Sequence, residues 1–230
     1  MLNNPVLVIG SKPGSIVPNI NFKTIYTANG AAERGMIYKK KFDQSNLVCV
    51  VGMREFLKNN LVKDKILESK PNRVVFRTYE KNLSNLFNNS CKIDYLSWKE
   101  QFNLQTKFIK FGKFSLVLAE TKRSEKIIEN IKYMLTGFRK RQFWGISTGF
   151  FSIILAHEEN PESDIVVSGI GLMGGIQFYK SERSKEYNYF ARSKVDRFIA
   201  KLLKKKFKNK IYSVDDDFVA NTKTKKFITL

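Results

Sequence analysis

Histidine is almost missing from this chain, with His157 the single example in 230 residues. Cysteine is nearly as scarce: Cys49 lies inside an apolar run and Cys91 in a polar one. Two distant cysteines cannot build a disulfide framework, so a reducing, cytosolic setting fits better than a secreted one. One histidine and two cysteines also fall short of a tetrahedral zinc ligand set. Long apolar runs are absent as well. The longest, around Phe150 to Ala156, suits a buried core helix and is far below the roughly 20 residues that cross a bilayer. The opening Met1-Leu2-Asn3-Asn4-Pro5 has no charged n-region, long apolar stretch or small-residue cleavage site, so no secretory leader is expected.

Acidic side chains are outnumbered, 21 against 41 basic ones, which leaves a net charge of +20 with the histidine neutral. Such an excess points to polyanionic company, either nucleic acid or the anionic leaflet of a membrane, alongside the plain alternative of a solvated basic surface. A hydrophobic content of 43% with 13% aromatics supplies a real core and excludes disorder for most of the chain. No internal repeat occurs and no Pro/Gly/Ser-rich linker divides the sequence. One domain over residues 1–230 is expected, with a helical insertion at about 82–112, where the period is least clear.

Short apolar, β-branched runs recur, each followed by a polar break: Pro5 to Gly10, Thr24 to Thr27, Leu47 to Val51, Arg73 to Arg77, Ser115 to Ala119 and Asp164 to Ser168. Continuous runs of this length, without strict alternation, mark strands buried on both faces. Helices are expected at Arg54 to Asn60, Ser124 to Leu135, Thr148 to His157 and Lys194 to Phe207, and an edge strand at Ile211 to Val214. The fold class that follows is α/β, a Rossmann-like, mostly parallel sheet sandwiched by helices. The last predicted helix sets Val195, Phe198, Ile199, Leu202, Leu203 and Phe207 on one face and lysines on the other.

Two segments carry candidate chemistry. Gly10-Ser11-Lys12-Pro13-Gly14-Ser15 follows the first strand, and the carboxyl end of a parallel strand is where α/β sheets bind nucleotides. It is neither a dinucleotide fingerprint nor a Walker loop, and a ligand-free turn is the plain alternative. The second is Ser147-Thr148-Gly149, where Ser147 or Thr148 can cap a helix whose free N–H groups bind an anion and Gly149 permits close approach. An ordinary capped helix reads the same way. A strand ending Ser168-Gly169-Ile170-Gly171 follows.

Taken in this order, the blocks resemble the bacterial sialyltransferase family, which uses CMP-sialic acid. The resemblance rests on Gly10 to Ser15, Thr27-Ala28-Asn29, Ser147-Thr148-Gly149, Ser168-Gly169-Ile170-Gly171 and Asn188-Tyr189-Phe190-Ala191-Arg192-Ser193-Lys194-Val195-Asp196. It implies a metal-independent, inverting glycosyltransferase of variant GT-A architecture, with a lid at about 172–192 over a CMP-sugar and no cofactor. On that resemblance Gly10, Ser11 and Asn29 would contact nucleotide or donor sugar. Ser147, Thr148 and Gly149 would hold the phosphate and cytidine, and Gly169 and Ile170 would line the cytidine pocket. Without a metal the leaving phosphate needs preorganised donors, for which Tyr179, Tyr187 or Tyr189 and the cations Arg183 or Arg192 are candidates.

The chain departs from the family at one telling place. Arg192 stands where the family has its histidine base, and an arginine stays protonated at physiological pH. His157 lies about nine residues, roughly 13 Å, along the helix from Ser147 and reads as a helix-end residue. The carboxylates Glu120 and Glu33, at expected strand exits, are then the candidate bases. Asp215-Asp216-Asp217 resembles a cation-holding acidic motif, but after the last strand it reads as a solvated turn, and no metal is expected. The expected activity is transfer of a sialic or Kdo-like sugar from a CMP-activated donor to a cell-surface glycan or lipid-linked acceptor. The setting would be the cytoplasm, peripheral on the inner face of the plasma membrane, with basic segments such as Lys39-Lys40-Lys41, Arg139-Lys140-Arg141 and the terminal helix meeting anionic lipid. The alternatives are a Rossmann-like nucleic-acid-binding or RNA-modifying protein, against which no recognition motif is found, and a relative that binds a nucleotide only.

Overall fold

A computed structural model describes residues 2–42, 46–121, 145–173 and 189–228 of the chain. Eight parallel strands form one sheet: β1 (Val6–Ile9), β2 (Thr24–Ala28), β3 (Asn46–Gly52), β4 (Arg73–Arg77), β5 (Lys92–Leu96), β6 (Ile165–Ser168), β7 (Ile211–Ser213) and β8 (Lys225–Lys226). Their spatial order is β5-β4-β3-β2-β1-β6-β7-β8. The chain therefore builds outward from β1 in one direction and then returns to its other side with β6. Registers are continuous, with Leu7 beside Ile25 on one flank and Val166 on the other.

Successive side chains of a strand point to opposite faces, and here both faces are covered. Val6, Val8, Tyr26, Val48, Val50 and Val75 belong to one apolar cluster, while Leu7, Ile9, Ile25, Leu47, Cys49, Val51, Val74 and Phe76 belong to the other. Helices α1 (Ala32–Lys41), α2 (Met53–Lys58) and α3 (Asn60–Glu68) cover the second face. Helices α4 (Trp98–Phe108), α5 (Gly112–Thr121), α6 (Thr148–Glu159) and α7 (Tyr189–Lys201) cover the first. The short α8 (Lys205–Lys208) and α9 (Asp216–Thr222) flank β7. Helix α6 is buried at nearly every position, from Thr148 to His157, which is why it reads as apolar all round in the sequence. Among the described residues, no helix is long and apolar enough to cross a membrane.

Five expectations change. Ser115 to Ala119 is helical: within α5, Ser115, Leu116 and Ala119 are buried, at helix spacing, while Val117 and Leu118 are half-buried. Residues 82–112, expected as a helical insertion, contain β5, paired in register with β4 from Arg73–Lys92 to Arg77–Leu96, and the whole of α4. The helix expected from Arg54 to Asn60 breaks at Asn59, whose side chain accepts a hydrogen bond from the Val62 N–H and so caps α3. The terminal helix breaks at Leu202 to Lys204 because Leu203 forms an antiparallel bridge with Ile109. The strand at Ile211 is not the edge, since β8 lies outside it. The helix expected at Ser124 to Leu135 and most of the lid at 172–192 lie outside the described residues.

Candidate functional site

The strand order reverses between β1 and β6, and α/β sheets bind ligands in the crevice beyond the carboxyl ends of strands at such a point. Both turns there carry a glycine for a steric reason. A Cβ on Gly10 would collide with the Gly169 carbonyl, and Gly169, at φ +74°, would set a Cβ 2.8 Å from the Gly10 oxygen. The Gly10 N–H donates to Ser168 O at 2.7 Å and the Lys12 N–H to Gly169 O at 2.8 Å, so the strand pairing continues into the turns. The Ile170 side chain occupies the space between Gly10 and Gly149, where a Cβ on Gly149 would lie 3.5 Å from it. Gly10, Gly149, Gly169 and Ile170 thus meet, from three distant segments.

A polar network fastens this corner. Asp215, 7% exposed, accepts the Gly169 N–H at 2.6 Å and the Ser15 hydroxyl at 2.7 Å. Lys12 lies 3.8 Å from Asp215 and 2.6 Å from Asp217. Ser15 and Ser168 share a hydroxyl contact of 3.0 Å, and the Arg34 guanidinium donates to the Ser15 and Lys12 carbonyls. Burial lowers the Arg34 pKa from its ordinary value, and Asp215 opposes that shift. The acidic run is therefore no solvated turn. Its first and third members are tied down because the loop after β7 folds over the β1 and β6 ends; only Asp216 is solvent-facing, with a side chain 92% exposed.

On the other side of the α6 amino terminus lies a small cavity that opens broadly to solvent. Its wall comes from the carboxyl ends of β2, β3 and β4, together with α2, α4 and α6. Ser147 caps α6, its Oγ accepting the Phe150 N–H at 3.2 Å, while its own N–H donates to Asp196 at 2.8 Å. The N–H groups of Thr148 and Gly149 open the helix, where no intrahelical acceptor exists, and the positive end of the helix dipole points outward. Thr148 Oγ1 lines the cavity and accepts from the buried Arg77 guanidinium at 3.3 Å. Arg77 also donates to Gln101 at 3.0 Å and lies 4.6 Å over the Phe151 ring, so a permanent cation is held rigidly beside the start of α6.

Two backbone outliers face the same space. Asn29 at φ +50° turns the chain out of β2 and accepts from the Gly52 N–H at 3.4 Å; Thr78 at φ +90° turns it out of β4. A β-branched residue at positive φ is costly, and such strain collects at ligand sites. The carboxylates on the wall are Glu55 and Glu80; Glu55 accepts from the Asn59 amide at 3.1 Å, and Glu80 pairs with Arg54 at 2.9 Å.

Of the residues singled out in the sequence, Asn29 and Thr148 line this cavity. Ser147 and Gly149 flank Thr148. Gly10, Gly169 and Ile170 form the neighbouring corner, and Ser11 sits half-buried in the turn after β1. Glu33 does not face the cavity but is paired with Lys65. The backbone of Glu120 lies near the end of α5, a helix where a strand exit was expected, and its side chain is outside the described residues, as are those of Tyr189 and Arg192 on α7. Tyr179, Arg183 and Tyr187 lie outside them altogether. His157 is at the far end of α6, stacked on Phe207 with ring centres 4.6 Å apart and 5.2 Å from Phe108.

Arg77, Thr78, Glu55, Glu80, Trp98 and Gln101 were missed as site residues. A signal existed for the first: a charged residue at the carboxyl end of its strand, directly after the apolar run Val74-Val75-Phe76. Among the described residues no three His, Cys, Asp or Glu side chains are gathered as metal ligands. Comparison of the chain with protein-family models, with curated proteins and with solved structures returns no match in any of the three.

Proposed function

We propose that this protein is a glycosyltransferase that takes an acidic sugar from a CMP-activated donor, with the donor phosphate at the start of α6. The observation that carries the reading is the meeting of motif residues from distant segments around one helix terminus. Thr148 and Asn29 are on an open cavity, and Gly10, Gly149, Gly169 and Ile170 pack immediately beside it. The same residues carry the resemblance to the CMP-sialic acid-dependent family.

The chemistry follows from charge. Breaking the sugar–phosphate bond leaves CMP with a growing negative charge on the leaving oxygen, and groups already oriented toward that charge stabilise it. The Thr148 and Gly149 N–H groups, the dipole of α6 and the Arg77 guanidinium are such groups, and none must reorganise. The acceptor hydroxyl must lose its proton as it attacks the anomeric carbon. Glu55 and Glu80 are the carboxylates on the cavity wall, and they are the candidate proton acceptors in place of Glu33, which is paired with Lys65. Arg192 cannot take that role in any arrangement, being always charged.

The test is CMP release from a CMP-activated acidic sugar, measured for the full chain and for Thr148→Val, Glu55→Gln and Glu80→Gln. Thr148→Val should lower CMP affinity about tenfold by removing a polar contact at the phosphate. One of the two glutamine variants should keep CMP affinity and lose turnover by about a hundredfold or more. Full turnover in both would remove the proton acceptor from this wall, and unchanged affinity in Thr148→Val would remove the phosphate from α6.

A further inference from the structure

The end of the molecule opposite the cavity carries a feature that catalysis at α6 does not use. Between α4 and α5 the chain makes a tight turn at residues 109–112, pinned to the segment after α7. The Lys110 N–H donates to Leu202 O at 2.8 Å, and the Lys204 N–H donates to Phe108 O at 2.9 Å. Phe111 stands at the tip of this turn, 77% exposed and at φ +57°. Phe114, one turn into α5, is 61% exposed. A bulky aromatic held at positive φ in solvent strains the backbone and gains nothing from the core, so folding does not account for its presence.

The surroundings are basic. Lys110 and Lys113 are exposed beside the two rings. Lys208 follows on the segment that Lys204 ties to Phe108, its N–H donating to Lys204 O at 2.9 Å, and its pKa is lowered first by burial and then by the charges of Lys110 and Lys223. Two exposed aromatic rings among clustered lysines match what the interface of an anionic bilayer rewards: rings that enter the headgroup–acyl boundary and cations that meet the lipid charge. A second copy of this chain is a poor occupant, because a two-fold contact would set lysines against lysines on a molecule of net charge +20.

We infer that the turn carrying Phe111 and Phe114, with Lys110, Lys113, Lys208 and Lys223, is a docking surface for an anionic phospholipid bilayer. It lies near the His157 end of α6, whose other end lines the cavity, so docking leaves the cavity facing away from the membrane. This inference does not depend on the donor assignment, and either can fail alone.

The test is co-sedimentation of the full chain with vesicles of phosphatidylcholine, with and without phosphatidylglycerol. Binding should require the anionic lipid and weaken with salt. Lys110→Gln and Lys113→Gln should each weaken it about fivefold. Phe111→Gly combined with Phe114→Ser should weaken it at least about tenfold. Phe111→Gly is the discriminating change, since glycine relieves the positive φ: its melting temperature should be unchanged or higher while vesicle binding falls. Equal binding to both vesicle types, no binding to either, or wild-type binding by the phenylalanine variants would each overturn the inference. So would a lower melting temperature in Phe111→Gly, which would make Phe111 a folding residue. A single-stranded oligonucleotide that displaces the vesicles at lower concentration would assign the patch to nucleic acid instead.

Discussion

Replacing Asp215 by alanine isolates the network that closes the β1–β6 corner. The substitution leaves the buried Gly169 N–H without its 2.6 Å acceptor and the Ser15 hydroxyl without its 2.7 Å acceptor, and it removes the carboxylate charge that offsets the burial of Arg34, while Lys12 keeps Asp217 at 2.6 Å. An unsatisfied buried N–H costs about 1–3 kcal/mol, and leaving the partly buried Arg34 without that carboxylate raises the total to about 3–5 kcal/mol. For a chain of this size that corresponds to a fall in melting temperature of roughly 10 °C. Asp216→Ala is the matched control: its side chain is 92% exposed and pairs with Lys226 at the surface, so the change should stay within about 0.5 kcal/mol. Denaturant unfolding of the two variants decides the matter. A loss below about 1 kcal/mol for Asp215→Ala, or equal losses for both, would return the acidic run to a solvated turn and refute the buried network.

His157 should make stability pH-dependent. Burial lowers its pKa below the unfolded value of about 6.5, so the unfolded chain binds the extra proton first, and stability present above that pH is lost as pH falls through the folded value. His157→Phe keeps an aromatic ring between Phe108 and Phe207 and removes the partnerless Nδ1; its melting temperature should exceed wild type more at pH 5.5 than at pH 7.5, and parallel curves would refute the assignment. The two site glycines should respond oppositely. Gly169→Ala should cost about 2–4 kcal/mol, from the positive φ and the 2.8 Å approach to Gly10, whereas Gly149→Ala meets only ordinary contact with Ile170 and should be neutral or up to about 1 kcal/mol stabilising. Denaturation midpoints that rank them the other way would contradict the packing at this corner.

Most of the sheet is legible in the sequence because six of its strands are buried on both faces or nearly so, and an unbroken run such as Leu47 to Val51 can satisfy few other environments. The edge strands escape for the same reason reversed. Lys-Ile-Asp-Tyr-Leu in β5 alternates and is only half-buried, and β8 is two lysines held by pairing with β7. Ser115 to Ala119 is misleading because a short apolar run fits a strand and a core helix equally, and only tertiary packing chooses. The break after α7 is likewise non-local, fixed by the Ile109–Leu203 bridge. The helix start at Ser147 is readable from its cap. The cavity wall is not, because Arg77, Thr78 and Glu80 gain their meaning from the strand order, which brings the β2, β3 and β4 ends around α6.

The assignment of a cytidine nucleotide to the α6 terminus is tested most directly by thermal denaturation of the full chain with CMP, UMP, GDP and S-adenosylmethionine in parallel. CMP should raise the melting temperature in a concentration-dependent way, reaching about 2.7 kcal/mol of stabilisation at a hundredfold excess over its Kd, with UMP, GDP and S-adenosylmethionine well behind. No shift with CMP, or an equal shift with all four, would contradict the account.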